Sequence, residues 1–156
     1  AIISNWHRRG RSTTSFFFGL TGKSNIRLSD AFAPAGSLKN PTAPFLLSGF
    51  NSKQGASTYE GRTLLASAGQ LSKRDVAGPY VIGVQGNYGT EYWNGDIAEV
   101  ILFARTLSDT EREAVWNYLA NRYKLKLDAQ PDDPQHLALA SLCHVLMNTN
   151  EFLYID

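Results

Sequence analysis

The spacing of the short apolar runs constrains this fold more than any other feature of the chain. As far as residue 105, runs of a few apolar residues recur between clusters of Gly, Asn, Ser and Pro. This spacing is typical of antiparallel strands joined by turns, and it does not suit alternating strands and helices. The predicted strands are 1–5, 15–20, 25–29, 44–50, 61–67, 80–85 and 97–104, and the predicted loops are 30–44, 51–60 and 86–95.

Two of these strands carry more specific information. Thr21-Gly22-Lys23-Ser24 predicts a hairpin turn, and in the strand after it Ile26 and Leu28 alternate with polar residues, as in a strand with one buried face. The segment 97–104 is apolar on both faces, which predicts a central strand covered by two layers. Glu99 interrupts one of those faces.

After residue 105 the period changes from 2 to 3.6. Ser108 and Glu111 have the spacing of a capping box, which predicts that an amphipathic helix follows and extends to Tyr123. Trp116 on this helix is predicted to lie in the core or at a domain interface. Residues 128–134 form a linker with two prolines and three acids, and a second helix is predicted over about 134–147.

Composition excludes several classes of protein. The chain has 156 residues, of which 43% are apolar, so it can form one ordinary domain with a sizeable core. Its single cysteine excludes an internal disulfide framework, and no apolar run approaches the 20 or so residues of a membrane-spanning helix. Residues 1–75 carry ten Lys and Arg against three Asp and Glu, but no nucleic-acid motif accompanies them, so no nucleic-acid partner is predicted.

The second half of the chain resembles a known family. Tyr80-Val81-Ile82-Gly83, the run WNGDIAEVILF at 93–103 and the run LSDTER at 107–112 resemble the end of a laminin-G-like domain, of the concanavalin A-like lectin/glucanase class. The resemblance covers roughly residues 1–127. It implies a mainly β fold, an antiparallel β-sandwich jelly roll that lacks its N-terminal strands and is closed by a helix.

The last residues carry a narrower resemblance. Residues 139–156 resemble the extreme C-terminus of a planctomycete domain of unknown function that occurs with c-type cytochrome domains. Together with the missing initiator Met, this implies that 1–127 and a helical tail at 128–156 belong to a larger exported protein, periplasmic or on the cell surface. Upstream domains of that protein, including a c-type cytochrome, would then be the partners.

No cofactor is predicted in this segment. Covalent haem attachment needs a second cysteine three residues before Cys143, and that position is Ala140, so no haem is attached here. Cys143 is instead predicted to be a small buried apolar residue. Glu99 is predicted to be a structural carboxylate that binds the amides of a neighbouring loop. Calcium is the alternative ligand of Glu99, with further oxygen atoms from Asp75, Asn87, Asn94 and Asp96.

Catalysis is not predicted. Glycoside hydrolysis needs two carboxylates facing one bond, whereas Asp96 and Glu99 are three residues apart and would face opposite sides of a strand. The remaining nearby acids, Asp109, Glu111 and Glu113, suit the positive end of the helix dipole. A glycoside hydrolase therefore remains only as an alternative to a protein without enzymatic activity.

The candidate ligand-binding residues combine aromatic rings with amides, as sugar-binding sites do. They are Asn87, Tyr88, Tyr92, Trp93 and Asn94 in one loop, together with Trp6. The alternative is that Trp93 and Tyr92 pack onto the sandwich. The predicted function is a non-catalytic recognition module for a glycan or a protein surface. A structural insert that packs against its parent protein and binds no free ligand is the alternative.

Overall fold

The computed structural model describes residues 1–5, 15–22, 24–69, 71, 79–85 and 88–127. Within these ranges the protein is mainly β, with antiparallel sheets and one helix. The strands are β1 (Ile3–Ser4), β2 (Phe17–Leu20), β3 (Ile26–Leu28), β4 (Ala31–Phe32), β5 (Leu47–Ser52), β6 (Gly55–Glu60), β7 (Thr63–Ala68), β8 (Val81–Ile82), β9 (Val84–Gln85) and β10 (Tyr88–Tyr92), and the helix is α1 (Asp109–Tyr123).

The strands form three antiparallel groups. Sheet A has the order β4-β3-β2-β1-β8, sheet B has the order β5-β6-β7, and β9 pairs with β10. The predicted hairpin at 21–24 is confirmed, because Phe18 pairs with Leu28 and Leu20 pairs with Ile26 on either side of it. The predicted burial of Ile26 and Leu28 is confirmed as well.

Sheet B lies between sheet A and the helix. A Cβ atom added to Gly49 of β5 would lie 3.0 Å from the ring of Phe18 and 3.2 Å from Leu28, both in sheet A. On the opposite face of β5, the indole N–H of Trp116 donates a hydrogen bond to Ser48 Oγ at 3.1 Å. The helix therefore covers the face of sheet B that sheet A leaves open.

Trp116 lies at the centre of the contact between helix and sheet, as predicted for a core residue. Its ring lies 6.3 Å from that of Phe50 and 5.4 Å from that of Tyr59, measured between centroids. The Arg112 guanidinium lies over the same three rings, at 4.9 to 5.9 Å from their centroids. Aromatic packing and cation–π attraction thus hold the helix on sheet B.

The helix begins as the sequence predicts. Ser108 has an extended backbone and its Oγ accepts the amide of Glu111 at 3.3 Å, while Glu111 Oε2 accepts the amide of Ser108 at 2.8 Å. Arg105 binds the same carboxylate through two nitrogens. The hydrogen bond from Arg105, followed by those from Ser108, lowers the pKa of Glu111 to about 2.

The predicted loop at 51–60 is wrong, because it contains β6, the central strand of sheet B. Gly55 and Ser57 are residue types common in turns, which hid the strand. In the folded protein, small side chains suit this position because β6 packs closely on β3. Ala56 and Thr58 are buried there.

The prediction of a central strand at 97–104 is also wrong. These residues belong to no sheet, and Ile101, Leu102 and Phe103 are 38%, 54% and 47% exposed. Among the described residues, no backbone hydrogen bond links this segment to a strand. A strand needs a neighbour to pair with, and an apolar pattern does not supply one.

Other features of the predicted organisation are changed or untested. The predicted loops also contain the short strands β4 and β10, and the predicted strand 80–85 divides at Gly83, which has a φ of +79°. The linker, the second helix and the tail at 128–156 lie outside the described residues, as do Cys143 and its neighbours. Within the described ranges, no helix is long and apolar enough to cross a membrane.

Candidate functional site

The structure describes only part of the predicted aromatic site. Tyr92 is 69% exposed, Trp93 is half-buried, and Asn94 is exposed. Tyr88 begins β10, and its side chain is not among the described ones. Trp6 and Asn87 lie outside the described residues. The structure therefore places Tyr92, Trp93 and Asn94 next to one another at the end of β10.

Trp93 packs against its surroundings. Its ring meets that of Phe45 edge to face, with 6.3 Å between centroids, and its backbone N–H donates to the carbonyl of Gly83 at 2.7 Å. The indole Nε1 is buried, and no acceptor among the described residues reaches it. A Cβ atom on Gly95 would lie 3.3 Å from Nε1, so the chain folds back closely over the ring. Trp93 thus supports Phe45.

Phe45 in turn forms part of a cleft of about 340 Å³. The cleft lies at the end of sheet B at which β5 begins. The segment that follows the helix also reaches this end of the sheet. Three stretches of chain line it: Ser37, Lys39, Pro44, Phe45 and Leu46 before β5; Glu60, Gly61, Thr63 and Leu65 around the turn from β6 to β7; and Leu125, Lys126 and Leu127 after the helix.

Two left-handed backbone positions bring these stretches together. Gly61 has a φ of +54° and donates its amide to the carbonyl of Leu46 at 2.8 Å, which joins the β6–β7 turn to the segment before β5. A Cβ atom on Gly61 would lie 3.2 Å from Leu127. Lys124, with a φ of 56°, ends the helix and turns the chain towards Leu125. Glycine at 61 therefore lets the segment after the helix approach the turn.

The cleft combines apolar walls with polar groups of both signs. Pro44, Phe45 and Leu65 offer apolar surface, while Lys39 and Lys126 are exposed and offer ammonium donors. The Glu60 carboxylate and the Thr63 hydroxyl complete the polar lining. Such a set can hold a neutral molecule that has apolar patches beside several hydroxyl groups.

The prediction that Glu99 binds the amides of a neighbouring loop is wrong, because the partners of its carboxylate are two side chains at the end of the helix. The hydroxyl of Tyr123 donates to Glu99 Oε2 at 2.9 Å, and Arg122 Nε lies 3.4 Å from the same oxygen. The carboxylate therefore joins residues 97–104 to the end of the helix. Because 97–104 is not a strand, the alternation that predicted opposite directions for Asp96 and Glu99 does not apply.

The calcium alternative receives no support from the described residues. Among them, no group of three or more His, Cys, Asp and Glu side chains could hold a metal ion. Asp75 and Asn87, two of the predicted oxygen donors, lie outside the described ranges.

The sequence did not point to the cleft. The predicted elements that contribute to the cleft are the loop at 30–44, the strand at 44–50, the loop at 51–60 and the strand at 61–67, while 125–127 follow the predicted helix. Nothing in their local pattern indicates that they meet. The one available clue was the pair of lysines at 39 and 126 beside apolar residues, which is too common to identify a site.

No family model matches the chain, and neither a curated protein nor a solved structure matches it. The two resemblances therefore rest on the sequence motifs alone. The geometry of the described residues is the remaining basis for a function.

Proposed function

We propose that the protein is a non-catalytic recognition module that binds a saccharide in the cleft next to Phe45. The observation that carries the proposal is the composition of this cleft, where apolar walls stand beside two ammonium groups, a carboxylate and a hydroxyl. Sugar rings have the matching chemistry, since they present C–H patches next to many hydroxyl groups. The volume of about 340 Å³ is near the lower end for ligand pockets and suits one small ligand.

Each part of the cleft has a role in this proposal. Phe45 and Pro44 receive the apolar face of the sugar, and Trp93 holds the Phe45 ring in position from behind. Lys39, Lys126, Glu60 and Thr63 exchange hydrogen bonds with sugar hydroxyls. Two further candidates, the exposed Tyr92 and Asn94, would contact parts of a longer glycan that extend beyond the cleft.

The wider setting of the module is proposed from the sequence motifs. They support a concanavalin A-like jelly roll of the laminin-G-like kind. They also support a larger exported protein in which upstream domains, including a c-type cytochrome, are the partners. The segment itself is proposed to carry no haem and to perform no catalysis, and calcium dependence is included in the experiment below.

A glycan array probed with the labelled full-length chain, with calcium and with a chelator, tests the proposal. We expect saturable binding that weakens at least tenfold in the double variant Lys39→Ala/Lys126→Ala, because both ammonium groups line the cleft. Lys53→Ala is the matched control, since this lysine is exposed in the β5–β6 turn and does not line the cleft. Tyr92→Ala separates the cleft from the β10 loop.

The outcomes are distinct. Binding lost in the double variant but kept in Lys53→Ala supports the cleft, and binding lost only in Tyr92→Ala moves the site to the loop. Silence across the array from a chain with a cooperative unfolding transition contradicts the proposal.

A second candidate function, a structural insert, is favoured by a different observation. Ile101, Leu102 and Phe103 are consecutive, apolar and exposed. Contiguous apolar surface that is exposed to solvent is typical of protein–protein interaction sites. In this candidate the domain packs against a larger polypeptide and binds no free ligand, so glycan binding would contradict it.

A further inference from the structure

We propose that Asn94 is a site of spontaneous covalent modification, at which the folded protein slowly converts its own asparagine to aspartate and isoaspartate. The co-reactant is water. The inference concerns a change in the chain itself and is independent of saccharide binding in the cleft. It rests on the pair Asn94-Gly95 and on the surroundings that the structure gives these two residues.

Asn94 is the one asparagine in the sequence that is followed by glycine. In such a pair, the backbone nitrogen of the second residue can close a five-membered ring with the side-chain carbon of the asparagine. A side chain on the second residue hinders this ring closure, and glycine carries none. The sequence alone therefore makes Asn94 the most reactive asparagine, provided that the folded structure leaves both groups accessible.

The structure leaves both reacting groups accessible. Asn94 and Gly95 are exposed and belong to no helix or sheet. Among the described residues, no group forms a hydrogen bond with the Asn94 side chain or with the Gly95 amide. Gly95 has a φ of +143°, a backbone conformation that other residues rarely adopt. The fold therefore requires at position 95 the same residue that favours ring closure.

The reaction has two steps. The Gly95 nitrogen loses its proton to solvent base and attacks Cγ of Asn94, the bond from Cγ to the side-chain nitrogen breaks, and ammonia leaves, which gives a cyclic imide. Water then opens the ring. Addition of water at Cγ gives aspartate, whereas addition at the backbone carbonyl carbon gives isoaspartate, in which the main chain runs through Cβ and Cγ. The net change consumes one water and releases one ammonia.

The modification changes the surroundings of Trp93. A Cβ atom on Gly95 would lie 3.3 Å from Trp93 Nε1, so the chain passes close to the indole ring. Trp93 in turn packs against Phe45 in the wall of the cleft. Isoaspartate at position 94 lengthens the main chain by one carbon atom directly after Trp93. We therefore expect isoaspartate to weaken the packing of Trp93.

Incubation of the full-length chain, followed by digestion and mass spectrometry, tests the inference. Each conversion adds about 1 Da, because an NH2 group is replaced by OH. The internal control is Asn51, which precedes a serine, lies in β5 and accepts the Leu71 amide through Oδ1 at 3.4 Å. We expect Asn94 to convert at least tenfold faster than Asn51. The rate should rise with pH, because the Gly95 nitrogen attacks only after losing its proton.

A matched variant and an unfolded reference separate chemistry from structure. Asn94→Gln keeps an exposed amide at the same position, but ring closure then needs a six-membered ring. We expect conversion at position 94 to become at least tenfold slower in this variant. The unaltered chain in urea gives the rate without folded structure. Because both groups are exposed in the folded protein, we expect the folded rate to lie within tenfold of the rate in urea.

Three outcomes would overturn the inference. They are conversion of Asn94 no faster than that of Asn51, equal conversion in Asn94→Gln, or a folded rate more than tenfold below the rate in urea.

Hydrogen exchange tests the effect on Trp93, whose amide donates to the carbonyl of Gly83. We expect this amide to exchange at least tenfold faster in the isoaspartate form than in Asn94→Asp, which carries the same charge on a normal main chain. Equal exchange would show that isoaspartate leaves Trp93 in place. These measurements use no glycan, so this inference and the saccharide proposal can fail separately.

Discussion

Truncation of Trp116 is the sharpest test of how the helix is held on sheet B. The side chain is only 8% exposed, contacts the rings of Phe50 and Tyr59, and donates a hydrogen bond to Ser48. Burying an aromatic side chain removes about 150–250 Å² from water, which at about 25 cal/mol per Å² is about 4–6 kcal/mol as an upper value. Substitution of buried aromatics by alanine costs about 3–5 kcal/mol.

We therefore expect Trp116→Ala to lower the free energy of unfolding by about 4 kcal/mol, a large share of the roughly 5–15 kcal/mol typical of a domain. Trp116→Phe keeps a ring against Phe50 and Tyr59 but loses the indole donor, so we expect a loss of about 1–2 kcal/mol. Tyr118→Ala is the matched control on the same helix, because this tyrosine is 47% exposed. We expect Tyr118→Ala to lower the free energy of unfolding by only about 0.5 kcal/mol, as is usual for substitutions at the surface.

Urea unfolding followed by far-UV circular dichroism measures these differences. The slope of free energy against urea must be compared between variants, since a changed slope indicates a changed unfolded or folded state. The packing described for Trp116 is refuted if Trp116→Ala costs no more than Tyr118→Ala at an unchanged slope.

Three further substitutions test other contacts. The pKa of Glu111 is lowered from 4.5 to about 2, so its stabilising contribution is complete above pH 4.5 and is lost as the pH falls towards 2. The difference in the free energy of unfolding between the unaltered chain and Glu111→Gln, measured by urea unfolding, should therefore shrink over that range. A constant difference would contradict the pairing of Glu111 with Arg105. Thr58 is fully buried, and its hydroxyl has no hydrogen-bond partner among the described residues. Thr58→Val should therefore raise the free energy of unfolding by about 1 kcal/mol. A lower free energy of unfolding would indicate that the hydroxyl makes a hydrogen bond in the folded protein. Gly55 has a φ of +144°, and a Cβ atom on it would lie 2.5 Å from a carbonyl oxygen of β7, whereas a Cβ atom on Gly69 would meet no neighbour within 4 Å. Gly55→Ala should therefore lower the melting temperature clearly more than Gly69→Ala. Equal effects would contradict the register of β6 and β7.

The features that the sequence predicted correctly are those that neighbouring residues decide among themselves. The hairpin at 21–24 depends on a four-residue turn, and the burial of Ile26 and Leu28 follows from alternation within one strand. The helix start depends on Ser108 and Glu111, three residues apart, which satisfy each other's amides. Such contacts form within one or two turns of chain, so the local pattern is enough to predict them.

Contacts between distant segments were decided by the tertiary structure. Residues 51–60 look like a loop, yet β6 becomes the central strand of sheet B because two neighbouring strands satisfy its backbone and sheet A accommodates its small side chains. The cleft joins three stretches that lie far apart in the chain, at 37–46, 60–65 and 125–127. Residues 97–104 show the converse, because their apolar pattern predicts a strand and the described structure offers no partner for it. Alternation indicates which side chains can be buried, but only pairing across space determines whether a backbone becomes part of a sheet.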